Sequence, residues 1–300
     1  MNELLWGHRY LMTEPNHFRV DYTINPFMDL ADQPDPTRTR EQWLAIIEAI
    51  EAAGGSVEVM AQLPEAPDMV YAMNLGLPLV GADGSPQVVL SHMRYPQRRM
   101  ETAAAEQWFA ARDVTQRRIG RDAVGAHFEA GDAFAWRGEL VVGYGPRTEE
   151  LALKHLAGDL DVSVRGVRIV HPSMYHLDLG FCPLDDTRAM VCPAAFDEAG
   201  AAALLALVPE PLVLTEEEAL TFCANSIVID RTILMPAPRE GAVPDRVRAQ
   251  LLEWGFEVVV VEVGEFLKGG GAIRCLTNPL DVRLGRDLDL VPGGRVTLAS

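Results

Sequence analysis

A short unit recurs along this chain: two hairpin-like strands, a helix, then a further strand. Ala133–Trp136 and residues 139–143 flank the turn Arg137-Gly138. Residues 225–229 and 232–235 flank Asp230-Arg231, and residues 77–80 and 87–90 flank a turn at Asp83-Gly84. Short apolar runs split by such turn residues are the signature of a hairpin. Helical stretches follow at 98–111, 148–156 and 196–207. Twice, a helix passes through glycine into a strand. Thr39 and Gln42 fit a capping box, and Trp43, Ile46, Ile47 and Ile50 recur at helical spacing. Gly54 and Gly55 then stop the helix, and Ser56–Met60 alternates as a strand. Pro244 opens the second case, with Val247, Leu251 and Trp254 on one face, Gly255 as the stop and a strand at 257–261. A unit this small cannot bury its own apolar face, so its copies must pack on one another. No linker or composition shift divides the chain. The expected architecture is one α/β domain over residues 1–300, built of ββαβ units, with an ordinary α+β domain as the alternative.

The charge balance narrows the partners. There are 26 Lys and Arg against 43 Asp and Glu, a net charge of −17. Nucleic-acid binding and anionic membranes both need surplus basic residues, so both are set aside. Cationic small molecules suit such a field, weakly at cellular salt. The apolar stretches are too short or too broken by Pro209 and Pro211 to span a membrane. The start, from Met1 to Arg9, lacks the basic n-region and apolar run of a signal peptide. Cys182, Cys192, Cys223 and Cys275 are spaced by 10, 31 and 52 residues, with no Cys-x-x-Cys. Zinc ribbons, thioredoxin-like motifs and a disulfide scaffold are thereby excluded. A cytoplasmic protein with free thiols is expected; a homo-oligomer is compatible with all of this.

Four segments carry groups able to do chemistry. Gly269-Gly270-Gly271 precedes Cys275, with Lys268 and Arg274 near enough in sequence to lower the thiol's pKa. Taken alone, the same segment reads more readily as a loop ending in a core cysteine. His176 and Asp178 would point to one side if the chain is extended there. A thiol elsewhere paired with a histidine is the usual nucleophile arrangement. His171, His176 and Asp178 as metal ligands compete with that reading, although their spacing matches no standard zinc motif. Glu129 and Asp132, beside Gly131, could grip a planar cation together or simply form a polar turn. Arg147 follows a glycine turn, and Arg94 lies in His92-Met93-Arg94-Tyr95; either could clamp a carboxylate or be solvated.

Taken in order, these pieces resemble the guanidino-group-modifying enzymes: arginine deiminase, dimethylarginine dimethylaminohydrolase, arginine dihydrolase and the amidinotransferases. The matching segments are Pro67-Asp68-Met69-Val70-Tyr71-Ala72-Met73-Asn74, the Glu129/Asp132 pair, residues 143–148, Tyr175-His176-Leu177-Asp178 and residues 269–277, which cover nearly the whole chain. The resemblance implies a five-bladed α/β propeller, the pentein fold. It implies that Cys275 attacks the guanidinium carbon and that His176 protonates the leaving amine and then activates water. Glu129 would orient His176. Asp178, with Asp132 or Glu129, would bind the guanidinium, and Arg94 and Arg147 the substrate carboxylate. No metal and no organic cofactor are implied.

One departure bears on the product. Deiminases and dimethylargininases commonly carry Asp in the segment aligned with Asn74. Here that residue is Asn, and Asn25 in Tyr22-Thr23-Ile24-Asn25-Pro26 also looks like the arginine dihydrolase type, unless it only caps a turn. The expected activity is conversion of arginine to ornithine, ammonia and carbon dioxide. The alternatives are dimethylarginine dimethylaminohydrolase, then arginine deiminase or an amidinotransferase. A catalytically dead binding relative is disfavoured because Cys275, His176 and Glu129 are all present.

Overall fold

Parallel strands need a crossover between them, and helices supply it in each unit of this chain. A computed structural model describes residues 3–121, 124–238 and 243–299. Met1 and Asn2 of the N-terminal stretch read above lie outside them. Gly76–Val80 pairs antiparallel with Pro86–Leu90; after the helix Arg99–Ala110, Thr115–Arg118 returns parallel to Pro86–Leu90. Ala133–Trp136, Glu139–Tyr144, the helix Glu150–Leu160 and Ser163–Arg168 repeat that order. So do Phe181–Pro183, Arg188–Val191, the helix Glu198–Leu207 and Glu210–Val213. Ile227–Ile229, Thr232–Ala237, the helix Asp245–Glu253 and Glu257–Glu262 form the fourth copy.

The fifth copy is assembled from both ends of the chain. Asn278–Pro279 pairs antiparallel with Arg9–Thr13, the helix Pro36–Ala52 follows, and Ser56–Met60 lies parallel to Arg9–Thr13. The second copy gains an extra edge strand, Arg295–Leu298, beside Ser163–Arg168. The apolar faces meet in a large buried cluster that includes Phe134, Trp136, Phe181 and Phe266. A smaller cluster holds Leu11, Met69, Val88 and Phe109. Among the described residues no helix is long and apolar enough to cross a membrane.

Local chemistry explains the elements and corrects one expectation. Arg137 (φ +52°) and Gly138 (φ +77°) are both left-handed, as a two-residue hairpin turn with the right twist requires. The helix expected to be capped by Thr39 begins a turn earlier. Pro36 takes the first helical position, where its fixed φ costs nothing, and the Asp35 side chain accepts the Arg38 N–H at 2.9 Å. Thr39 is therefore inside the helix, donating its hydroxyl back to the Asp35 carbonyl at 2.7 Å. Gln42 makes no capping contact and accepts the Glu265 N–H at 2.9 Å.

Candidate functional site

Each unit carries a polar residue in the turn just ahead of its first strand. These are Asn74 in the 3-10 turn Ala72–Leu75, Asp132 in Ala130–Asp132, Asp178 in Leu177–Leu179, Asn225 ahead of Ile227–Ile229, and Cys275 in Ile273–Leu276. Hydrogen bonds join the turns in succession. The Gly131 N–H reaches Asn74 Oδ1 at 3.0 Å, and the Leu177 N–H reaches Asp132 Oδ1 at 2.9 Å. Asn225 Nδ2 donates to the Asp178 carbonyl at 3.2 Å, and the Arg274 N–H to the Asn225 carbonyl at 3.0 Å. Asn278 Nδ2 links the last unit back to the first through the carbonyls of Ala72 (3.0 Å) and Gly76 (2.9 Å).

Over these turns lies a pocket of about 270 Å³ lined by Ile24, Asn25, Asp68, Tyr71, Asn74, Arg98, Arg147, Tyr175, His176, Gly269, Gly271 and Cys275. Four residues singled out as substrate contacts or catalysts in the sequence, besides Cys275, therefore line it: Asn25, Asn74, Arg147 and His176. Glu129 is buried behind them. Its Oε2 lies 2.8 Å from His176 Nε2 and accepts from Arg147 Nη1 at 3.0 Å, and its Oε1 accepts the Arg94 N–H at 2.9 Å. Burial pushes the Glu129 carboxyl up, but the Arg147 charge and the His176 hydrogen bond outweigh it and hold the group well below the usual carboxylate range. With Nε2 on Glu129, Nδ1 is the ring nitrogen of His176 not held by that carboxylate. Arg147 is itself sandwiched, 4.7 Å from the Tyr95 ring centre and 4.5 Å from that of Tyr175.

Several expectations about these residues do not hold. His176 and Asp178 are not on an extended chain; a 3-10 turn over Leu177–Leu179 separates them. They still serve one site, because Asp178 Oδ2 lies 3.6 Å from Cys275 Sγ. Glu129 and Asp132 do not face a common cation. The turn Ala130–Asp132 swings them apart, so Glu129 takes Arg147 and His176 while Asp132 Oδ1 takes the Leu177 N–H. Asp132 Oδ2 and Asp178 Oδ1 are buried with no hydrogen-bond partner among the described residues. Burial raises both carboxyls, that of Asp132 to about 7. Arg94 is exposed, with Nη1 3.3 Å from Glu149 Oε1, and does not line the pocket. Arg98 does, buried and gripped by Glu101 at 2.9 and 2.7 Å.

The thiol is not lowered as its basic neighbours suggested. Lys268 turns away to Asp32 (2.9 Å) and Glu265 (3.0 Å). Arg274 Nη1 contacts Met73 Sδ at 2.6 Å, and its guanidinium stands 4.7 Å from the Phe134 ring centre. Burial therefore dominates and pushes the Cys275 thiol well above its usual range, and the Asp178 charge adds to the rise. Cys182, Cys192 and Cys223 are also free and buried, with burial raising Cys182 and Cys223 to about 12. The metal reading finds no support in the geometry. His171 Nε2 sits 3.1 Å from Glu216 and its Nδ1 accepts the N–H groups of Ser173 and Met174. Among the described residues no cluster of three or more His, Cys, Asp or Glu side chains is arranged to hold a metal ion.

Two glycines shape the pocket. Gly270 (φ +88°) takes the left-handed backbone, and a Cβ there would lie 2.5 Å from Asn25 Oδ1. Asn25 does cap a turn, accepting the Phe27 N–H at 3.0 Å, and it also donates to the Gly269 carbonyl at 3.0 Å, which brings it to the pocket. A Cβ on Gly131 would lie 2.9 Å from Asn74 Oδ1, 3.3 Å from His176 Nδ1 and 3.4 Å from Asp178 Oδ2. Gly131→Ala is thus expected to cost about 1–3 kcal/mol in stability by overpacking. It should also lower kcat on the order of 10²-fold by shifting reactive groups. Parent-like melting and turnover in that variant would show that the site is looser than this packing implies.

The sequence did not signal Arg98, Tyr71, Tyr175 or Asn225 as site residues. Asn225 had one usable mark, its place ahead of the first strand of a hairpin, where the other four units carry theirs.

Comparison with known proteins shows the family. The family profile described as "N,N dimethylarginine dimethylhydrolase, eukaryotic" matches residues 13–282. A dimethylarginine dimethylaminohydrolase of Mycobacterium tuberculosis is 32% identical over 272 residues, 90% of this chain and 84% of that protein. The bifunctional arginine dihydrolase/ornithine cyclodeaminase ArgZ of Synechocystis is 34% identical over 275 residues, 90% of this chain and 37% of that longer protein. The crystal structure of the ArgZ N-terminal domain, a substrate-bound mutant, superimposes with a TM-score of 0.83 at 31% identity, covering 92% of this chain and 98% of that one. The chain belongs to the dimethylarginine dimethylaminohydrolase family, within the pentein superfamily of guanidino-group-modifying enzymes.

Proposed function

We propose that this protein, a hydrolase of guanidino C–N bonds like its relatives, is an arginine dihydrolase. It converts arginine and two waters to ornithine, two ammonia and carbon dioxide. The observation that carries this reading is the chemistry of Asn74. Its Oδ1 is already taken by the Gly131 N–H, so the amide nitrogen is the group left for a ligand. A guanidinium offers only donors and does not need another donor opposite it. The ureido group of citrulline has a carbonyl oxygen that does. A donor at this position holds citrulline, or its thiol adduct, in place for a second cleavage.

In the first cleavage Cys275 passes its thiol proton to His176 as Sγ bonds to the guanidinium carbon, and His176 gives that proton to the amine that leaves. His176 then takes a proton from water, which adds to the thiouronium carbon. Expulsion of the thiolate leaves citrulline, and a second attack by Cys275 expels the second ammonia. Hydrolysis of that adduct gives a carbamate, which loses carbon dioxide. Asp178 and Asp132, each with an oxygen lacking a partner, are the carboxylates for the guanidinium. Arg147 takes the substrate carboxylate; Arg94 joins it only by releasing Glu149. The same resemblance extends to the fold. Residues 1–300 form one domain, a closed five-bladed α/β propeller whose last blade is shared by the chain's two ends. The ring of hydrogen bonds through the five turns supports that arrangement.

A second reading, hydrolysis of dimethylarginine to citrulline and dimethylamine, is favoured by the family profile and by the mycobacterial relative. Chromatography of products from arginine, citrulline and asymmetric dimethylarginine separates the two. Ornithine is expected as the main product from arginine, and Asn74→Asp should shift the product toward citrulline. Citrulline as the sole product of the parent protein, or a preference for dimethylarginine with release of dimethylamine, would overturn the first reading. Transfer of the labelled amidino group to an added amine would instead indicate an amidinotransferase.

A further inference from the structure

Asn225 is fully buried and all of its amide atoms are in use. Nδ2 donates to Cys275 Sγ and to the Asp178 carbonyl, each at 3.2 Å. Oδ1 accepts the N–H groups of Ala272 and Cys275, also at 3.2 Å. One planar side chain thus fixes the turn that carries the nucleophile, the turn that carries Asp178, and the sulfur itself. The other groups around that sulfur do not donate to it. Asp178 presents a carboxylate, Arg274 is turned onto Met73 and Thr277, and the Tyr71 and Tyr175 hydroxyls donate to the carbonyls of Phe266 and Gly270. His176, across the pocket, is held by Glu129. Among the described residues, Asn225 Nδ2 is the side-chain nitrogen that hydrogen-bonds Sγ.

We propose that Asn225 is an unassigned member of the catalytic centre: it positions the Cys275 turn and supplies the hydrogen bond that stabilises the thiolate. This rests on the reading of Cys275 as the nucleophile. The need for such a donor follows from the surroundings. A buried sulfur beside a carboxylate is poorly disposed to carry charge, and a hydrogen bond to an ionised group is worth more than one to a neutral group. The amide is neutral, so it provides that bond without placing a positive charge beside the cationic substrate.

The test reads the thiol without any substrate. Alkylation of Cys275 by iodoacetamide, followed by the mass of its peptide from about pH 7 to about pH 9, reports the thiolate fraction. Asn225→Ala should lower the Cys275 rate roughly tenfold at a given pH, equivalent to an upward shift of about one pH unit. Asn225→Asp keeps the acceptor for Ala272 and Cys275 but replaces the donor with a charged oxygen, so it should show a larger shift than Asn225→Ala. Cys182 serves as the internal control, because its Sγ lies 3.7 Å from the neighbouring Ser226 carbonyl. Mere loosening of the structure would speed alkylation of both cysteines, the opposite sign for Cys275. A Cys275 rate that is unchanged or faster in Asn225→Ala overturns the proposal. Failure of the parent protein to hydrolyse arginine counts against the proposed function and leaves this alkylation test standing.

Discussion

Cys275→Ser is expected to bind arginine and to turn it over at least about 10⁴-fold more slowly than the parent. The hydroxyl keeps the shape of the thiol but is far less acidic, and this site already disfavours an anion. Cys275 is buried, and Asp178 stands 3.6 Å from its sulfur. Burial and the Asp178 charge both raise the thiol's pKa, and in the proposed mechanism an arriving guanidinium balances the added negative charge and favours the thiolate. A serine has no such route within reach. Calorimetric titration with arginine should show binding, and a turnover assay should show none. Parent-like activity would sink the covalent mechanism. Cys182→Ser, Cys192→Ser and Cys223→Ser should keep the chemistry and lose only stability.

His176→Asn should reduce kcat by roughly 10²–10⁴-fold, the usual worth of general acid–base catalysis. In the proposed mechanism one imidazole acts first as acid and then as base, so the loss falls on both halves of the reaction. The Glu129 carboxylate would keep its Arg147 partner in that variant, 3.0 Å away, so no buried charge is left bare and the fold should hold. A fall in kcat together with collapse of the melting transition would point to a structural histidine instead. Chelation provides a control. EDTA should leave the parent enzyme unaffected, whereas inhibition reversed by zinc or manganese would revive the ligand set His171, His176 and Asp178.

Most of the repeating architecture was legible because each element carries its own local physics. Arg137-Gly138 and Asp230-Arg231 mark turns by residue type, and the chain makes hairpins there. Helices ending near Gly54 and Gly255 lead into strands as read. The hairpin of Phe181–Pro183 with Arg188–Val191 was missed, since its strands are three and four residues long and give no periodicity to read. The hairpin of the fifth unit was missed for another reason. Its strands Asn278–Pro279 and Arg9–Thr13 come from opposite ends of the chain, and no local pattern encodes a pairing over that distance.

By itself the sequence determined the residue types of the chemistry and their order: a thiol after three glycines, a His two residues before an Asp, a Glu three before an Asp, and Asn at positions 25 and 74. Those are properties of composition and spacing, and they survive any packing. Only the tertiary structure decided which atoms meet. It turned Lys268 away from the thiol, put Arg98 rather than Arg94 on the pocket wall, and set Glu129 on His176. It also brought Asn225 to the sulfur across fifty residues of chain. Hydrogen bonds and ion pairs depend on distances of a few ångströms and on desolvation, and these are set by how five similar units stack, which no single segment specifies.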